Sequence, residues 1–230
     1  MMEYGEFYRK FGGSYRQKYL KKKVRSVGDA LKFVQGKLNS HNMREYAIPR
    51  RRNLPDNFIR QEPWEGEYLF YLAKHAKEGI VETGRFQGGS SFLMACANDA
   101  VPIHSIDIAP QNDAFLKEQF AKFNMGKNVD LIVGDSQKSK YAQIKKFDLL
   151  FIDGDHSYQG CTNDLENWFP SLSSGGHVIL HDCYHGNEVK ESVIDFVTKH
   201  RAQVQIVVSP YKNRQHWFYP EGSFAHFIKL

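Results

Sequence analysis

Between residues 61 and 230 the apolar positions alternate between short continuous runs and wider helical spacing. The runs at 79–83, 102–107, 129–133, 147–153 and 177–181 are bounded by glycine, proline or charged residues, the pattern of strands buried on both faces. Pro63 is placed to open a helix and Gly79 to close it, with Trp64, Tyr68, Leu72 and Ala76 repeating every fourth position as the packing face. Cys161, Leu165, Trp168 and Leu172 follow helical spacing and read as core. Strands alternating with helices imply a parallel sheet with crossover connections. The end of the chain breaks the alternation. Two more strand-like runs, at 204–208 and 223–230, are joined by a loop containing Asn213, Arg214, Trp217 and Tyr219 that lacks a strong helical pattern, so a closing antiparallel hairpin is expected. The predicted fold class is α/β: a doubly wound, seven-stranded, mostly parallel sheet with that C-terminal hairpin.

Composition changes this picture little, and charge changes it more. The 230 residues are 41% hydrophobic and 25% charged, ordinary for a globular chain. No apolar run approaches the roughly 20 residues of a membrane span, and the opening MMEYGEFYRKFGG lacks a secretory signal, so a cytoplasmic protein with no membrane partner is expected. Cys96, Cys161 and Cys183 show no Cys-x-x-Cys spacing and read as reduced thiols. Residues 1–60 carry 15 Lys and Arg against 5 Asp and Glu, a net +10, which leaves −5 for the rest. The expected organisation is therefore a basic N-terminal extension, 1–60, ahead of one domain, 61–230. Lys21, Lys22, Lys23, Arg25 and the run Arg50, Arg51, Arg52 suit a solvated extension or a contact in a homo-oligomer, and equally the phosphates of a nucleic acid. Tyr4, Phe7, Tyr8, Phe11, Tyr15 and Tyr19 are spaced as one packed helix face rather than as a stacking platform.

Candidate chemistry begins at VETGRFQGGSSF, residues 81–92. A strand runs into a glycine-rich turn and Ser90 or Ser91 starts a helix, so the backbone can approach a ligand closely. Asp107 ends the next strand, 23 residues after Gly84, where a carboxylate can accept hydrogen bonds from both ribose hydroxyls of an adenosine cofactor. A plain tight turn and a helix cap are the bland readings of the same residues.

Glu82, Gly84, Gly88 and Ser90 resemble the Glu-x-Gly-x-x-x-Gly-x-Ser turn of metal-dependent, catechol-type O-methyltransferases, class I enzymes with a Rossmann-like fold that use S-adenosylmethionine. The run Val133, Gly134, Asp135, Ser136, Gln137 resembles their adenine segment. FIDGDHSYQG and GGHVILHDCY look like bacterial macrocin-type relatives that methylate sugar hydroxyls. The resemblance covers about residues 62–230. It implies that Glu82 and Gly84 neighbour the methionine part of the cofactor, that Asp107 holds the ribose and that Asp135, Ser136 and Gln137 hold the adenine. Acidic residues suit a cationic sulfonium, whereas a dinucleotide would want helix-end amides for its pyrophosphate.

A second constellation is Asp153, Asp155, His156, His181 and Asp182. Asp153 and Asp182 fall at the carboxyl ends of the fourth and fifth strands, where open α/β sheets bind ligands. The resemblance implies that both hold Mg2+, which grips the acceptor hydroxyls. Cys183 departs from the oxygen-bearing side chain of the catechol type. His181 is the substitute ligand, favouring a softer ion such as Mn2+, or the site is metal-free. The bland alternative is that Asp153 and Asp155 only turn the chain and cap a helix. His156 is the leading general base, with Asp155 the alternative. Tyr184, His185 and the loop from Trp217 to Tyr219 either line the acceptor pocket or pack beneath the hairpin. The function expected is methyl transfer to a hydroxyl of a sugar or related small molecule. An RNA methyltransferase using the basic arm, and a non-catalytic binding protein of the same fold, stand as alternatives.

Overall fold

The computed structural model describes residues 2–11, 54–55, 58–61, 63–138, 141, 143–183, 187–208 and 224–230. Helix α1 (Tyr4–Phe11) is followed by α2 (Pro63–His75) and then by the alternating series β1 (Ile80–Thr83), α3 (Gly89–Ala97), β2 (Ile103–Asp107), α4 (Asp113–Phe123) and β3 (Val129–Val133). The second half runs β4 (Phe147–Ile152), α5 (Tyr158–Trp168), β5 (Leu172–Leu180), α6 (Glu188–Lys199), β6 (Val204–Val208) and β7 (Ala225–Lys229). The seven strands form one sheet in the order β3-β2-β1-β4-β5-β7-β6. β3, β2, β1, β4 and β5 pair in parallel, and β7 inserts antiparallel between β5 and β6. The mostly parallel sheet and its closing hairpin are as the hydrophobic pattern predicts. Strand order reverses between β1 and β4, so the crevice beyond their carboxyl ends is the binding edge of the sheet.

Two apolar layers hold the sheet. One packs α2 and α3 on it through Leu69, Phe70, Phe92, Leu93 and Phe151, and the other packs α5 and α6 through Leu165, Trp168, Val193 and Phe196. On α2 the fully buried line is Leu69, Phe70 and Ala73, with Tyr68, Leu72 and Ala76 only partly covered. The deepest face is thus turned one position from the sequence expectation, and it carries Glu65 one turn before Leu69. That helix ends at His75, short of Gly79. Leu172 belongs to β5 rather than to the preceding helix: α5 stops at Trp168, and a 3-10 turn containing Pro170 hands the chain to a strand starting five residues earlier than expected.

Helix α1 is part of the first core layer. Phe7 and Phe11 are fully buried, Phe7 against Phe70 at 5.3 Å between ring centroids and Phe11 edge-on to Phe92 at 5.1 Å. Each such ring contributes about 1.5–3 kcal/mol of burial. Leu54, Phe58 and Ile59 join the same cluster. The basic cluster between these anchors, from Lys21 to Arg52, lies outside the described residues. Among the described residues, no helix is long and apolar enough to cross a membrane.

Candidate functional site

The site grows out of the turn after β1. Gly84 adopts φ +87°, and a Cβ there would lie 2.3 Å from the carbonyl oxygen of Asp153, so only glycine lets the ends of β1 and β4 come this close. Gly88, at φ +86°, sits against Leu116 and caps α3, so it shapes the turn without reaching the cavity wall. Glu82 points the other way, into the protein. It is fully buried and accepts hydrogen bonds from the hydroxyls of Ser90, Ser91 and Ser105. Burial raises its carboxyl above the usual range, with the three serines opposing. Below the turn the buried guanidinium of Arg85 grips Asp113 through Nε at 2.8 Å and Nη2 at 2.9 Å and donates to the Ser105 carbonyl. Its place inside the turn motif was the sequence signal for that role.

Above the turn opens a cavity of about 680 Å³. One end is walled by Asp107, Ile108, Asp135, Ser136 and Gln137, the middle by Gly84, Arg85, Phe86 and Ser90, and the other end by Gln61, Asp153, His156, His181 and Asp182. The structure therefore brings Gly84, Ser90, Asp107 and 135–137 to one cavity with Asp153, Asp155 and the two histidines, and leaves Glu82 and Gly88 behind its wall. Asp107 holds the rim in place, accepting from Phe86 N and Ala109 N, both at 2.7 Å. Ser136 is fixed from beneath by Asp164, which accepts from its hydroxyl at 2.7 Å and from Thr83 Oγ1 at 3.0 Å. Burial pushes Asp164 up to about 6 against those two bonds. Asp164 escaped the sequence reading because nothing in the α5 pattern separates it from a solvated acid.

At the far end Asp153, His181 and Asp182 each offer a ligand atom within 4.8 Å of one another. His181 Nδ1 is 3.2 Å from Asp153 Oδ1 and 3.5 Å from Asp182 Oδ2, and its Nε2 is 3.1 Å from Glu65 Oε2. Burial alone would lower this imidazole, but Asp153, Asp182 and Glu65 outweigh it and hold the ring well above its ordinary pKa. His156 Nε2 stands 3.4 Å from Asp153 Oδ1 and 3.6 Å from Asp182 Oδ2, and its pKa is raised chiefly by the Asp153 bond. Asp182 occupies the left-handed region at φ +55°, which costs a non-glycine residue about 1–3 kcal/mol and is tolerated where surroundings fix it. Asp155 is lowered by the backbone of Ser157, and it accepts from Gln137 Nε2 at 3.3 Å. Ser157, rather than Asp153 or Asp155, caps α5, accepting from Gly160 N. Tyr184, His185 and the loop from Trp217 to Tyr219 lie outside the described residues.

Residues 81–183 match the family described as a methyltransferase domain. An uncharacterised protein of Acanthamoeba polyphaga mimivirus is 34% identical over 153 residues, 62% of this chain and 68% of that protein. Among solved structures, the O-methyltransferase NovP is similar at TM-score 0.59 and 16% identity, covering 79% of this chain and 84% of that one. The S-adenosylhomocysteine-bound Podospora anserina methyltransferase PaMTH1 is similar at TM-score 0.56 and 16% identity, covering 93% of each. A putative rRNA methylase from Clostridium thermocellum is similar at TM-score 0.57 and 17% identity, covering 72% of this chain and 96% of that one.

Proposed function

Because the chain belongs to the class I S-adenosylmethionine-dependent methyltransferases, we propose that it methylates a hydroxyl of a sugar or related small polyhydroxyl molecule beside a divalent cation. The observation that carries the reading is the continuity of one cavity from Asp107 and 135–137 to Asp153, His181 and Asp182. In this reading the adenosine lies along the first end, its ribose hydroxyls donating to Asp107. Gly84 would neighbour the sulfonium, and the acceptor would enter at the cluster.

The donor set fits a cation. Two carboxylates and one imidazole converge, and a third carboxylate, Glu65, stands behind the ring, a concentration of negative charge that a bound cation would neutralise in place of protonated imidazoles. Asp153, Asp182 and His181 would hold the ion, which would supply Lewis acidity to the acceptor hydroxyl when bound. The chain's own residues do the rest. Arg60 lies over the Phe86 ring at 5.3 Å on the cavity wall. Holding donor and acceptor at about 3 to 3.5 Å supplies most of the acceleration. His156 takes the acceptor's proton at Nε2, a step that engagement of Asp153 and Asp182 by a cation would favour, since those two carboxylates raise its pKa. The acceptor oxygen then attacks the methyl carbon as the carbon–sulfur bond breaks, leaving S-adenosylhomocysteine.

Mass spectrometry of reactions with methyl-labelled cofactor tests the reading. Label is expected on sugar or polyhydroxyl acceptors. Label carried only by RNA would replace this acceptor class with nucleic acid, and no transfer despite cofactor binding to every class offered would leave a binding protein.

A further inference from the structure

Glu65 is absent from every sequence motif of the site, yet it is only 2% exposed and its carboxylate faces the nitrogen of His181 that points away from the cavity. A metal-ligating histidine usually donates its second N–H to a carboxylate or carbonyl, which fixes the tautomer and strengthens the ligating nitrogen. Here Nε2–H would go to Glu65, placing the Nδ1 lone pair between Asp153 and Asp182. The ring is also held by packing: Phe151 and Phe224 meet it edge-on at 6.4 and 5.3 Å. A further contact braces Asp153 from the connecting segment. Gln61, 2% exposed and on the cavity wall, donates to Asp153 Oδ2 at 3.5 Å, while its buried Oε1 has no hydrogen-bond partner among the described residues.

We infer that Glu65 is a positioning residue that, through His181, sets the ion class of the cluster: a first-row transition cation such as Mn2+ in preference to Mg2+. The inference rests on the reading that Asp153 and Asp182 hold a cation. One imidazole with two carboxylates suits such ions, whereas Mg2+ favours oxygen donors and retained waters. The line Glu65, Leu69, Ala73 on the buried face of α2 makes the carboxylate a fixed part of the core rather than a mobile surface acid.

Titration of the full chain with Mn2+, followed by electron paramagnetic resonance and competed with Mg2+, tests this. Mn2+ is expected to bind at least about tenfold more tightly than Mg2+ and to show nitrogen spin-echo modulation that survives His156→Asn and disappears in His181→Asn. Glu65→Leu is expected to weaken Mn2+ by about ten- to a hundredfold with little change for Mg2+, collapsing the preference, and the isosteric Glu65→Gln to fall between; Glu65→Gln carries the test if the leucine variant does not fold. Mn2+ bound without nitrogen modulation would overturn the inference and leave the metal reading standing. So would an equal loss for both ions, the mark of a merely structural role. A wild-type chain that binds neither ion would remove the metal reading and this inference with it.

Discussion

Glu82 and Asp153 stand at the ends of neighbouring parallel strands, Glu82 within the glycine-rich turn motif and Asp153 as a strand-end carboxylate. Their surroundings separate them. Glu82 has no exposed surface, and three serine hydroxyls donate to its two oxygens, so it ties β1, α3 and β2 together. Asp153 borders the cavity, shares Oδ1 with two histidines, and meets the Gln61 amide. A buried acid with hydroxyl partners is a fastening, whereas an acid among titratable groups at a cavity wall is poised for exchange.

Removing what presses on the closed side is expected to have the largest effect. Phe11→Ala takes a ring from Phe92, on the helix that supplies Ser90 and Ser91, and should cost about 3–5 kcal/mol of unfolding free energy in denaturant titration. A loss below about 1 kcal/mol would show that α1 is dispensable to the core. On the open side, Asp153→Asn should lower single-turnover methyl transfer on the order of a hundred- to a thousandfold with the melting temperature nearly unchanged. Normal turnover would place the reacting centre elsewhere.

Glu82→Gln should invert that profile, destabilising by about 1–3 kcal/mol, because one oxygen acceptor becomes a donor among three hydroxyls, while turnover of the folded fraction stays near normal. A selective loss of cofactor affinity in calorimetry would instead make Glu82 a ligand, as the family resemblance implies. Another closed polar site is expected to show itself through pH. His226, joined to Tyr68 Oη at 2.6 Å and His177 Nδ1 at 2.9 Å, is pushed by burial down to about 3. The unfolded chain takes up that proton below about 6.5 and the folded chain does not, so stability should fall as pH drops from about 6.5 toward 3, by up to about 1.4 kcal/mol per unit. Urea midpoints across that range should fall less steeply for His226→Asn. Parallel slopes would refute the assignment.

The strands were legible because their apolar runs are bounded by turn residues, and the hairpin because the alternation with helices stops there. The cavity residues at strand ends, Gly84, Asp107 and Asp153, were legible because a parallel sheet sends all its carboxyl ends to one edge. Glu65, Gln61 and Asp164 were not. Each reaches the site from another layer, through helix rotation or a connecting segment, and linear spacing carries no information on which neighbour a buried polar side chain will meet. One signal was available for Glu65: an acid exactly one turn before Leu69 on a helix expected to pack against the sheet. In the extension the aromatic spacing predicts a packed helix face and Phe7 and Phe11 tie its first helix into the core, because aromatic spacing decides packing where net charge does not.

The hairpin has a consequence for how the molecule opens. β6 is earlier in the chain than β7 but joins the sheet only through it, so residues 224–230 are a keystone between β5 and the edge. Loosening that strand releases β6 with it and lifts Phe224 from His181 in the same motion. Amide hydrogen exchange should therefore report β6 and β7 as one cooperative unit, and the breathing of the sheet's edge becomes a route by which solvent reaches the deepest imidazole of the cavity without unfolding its other walls.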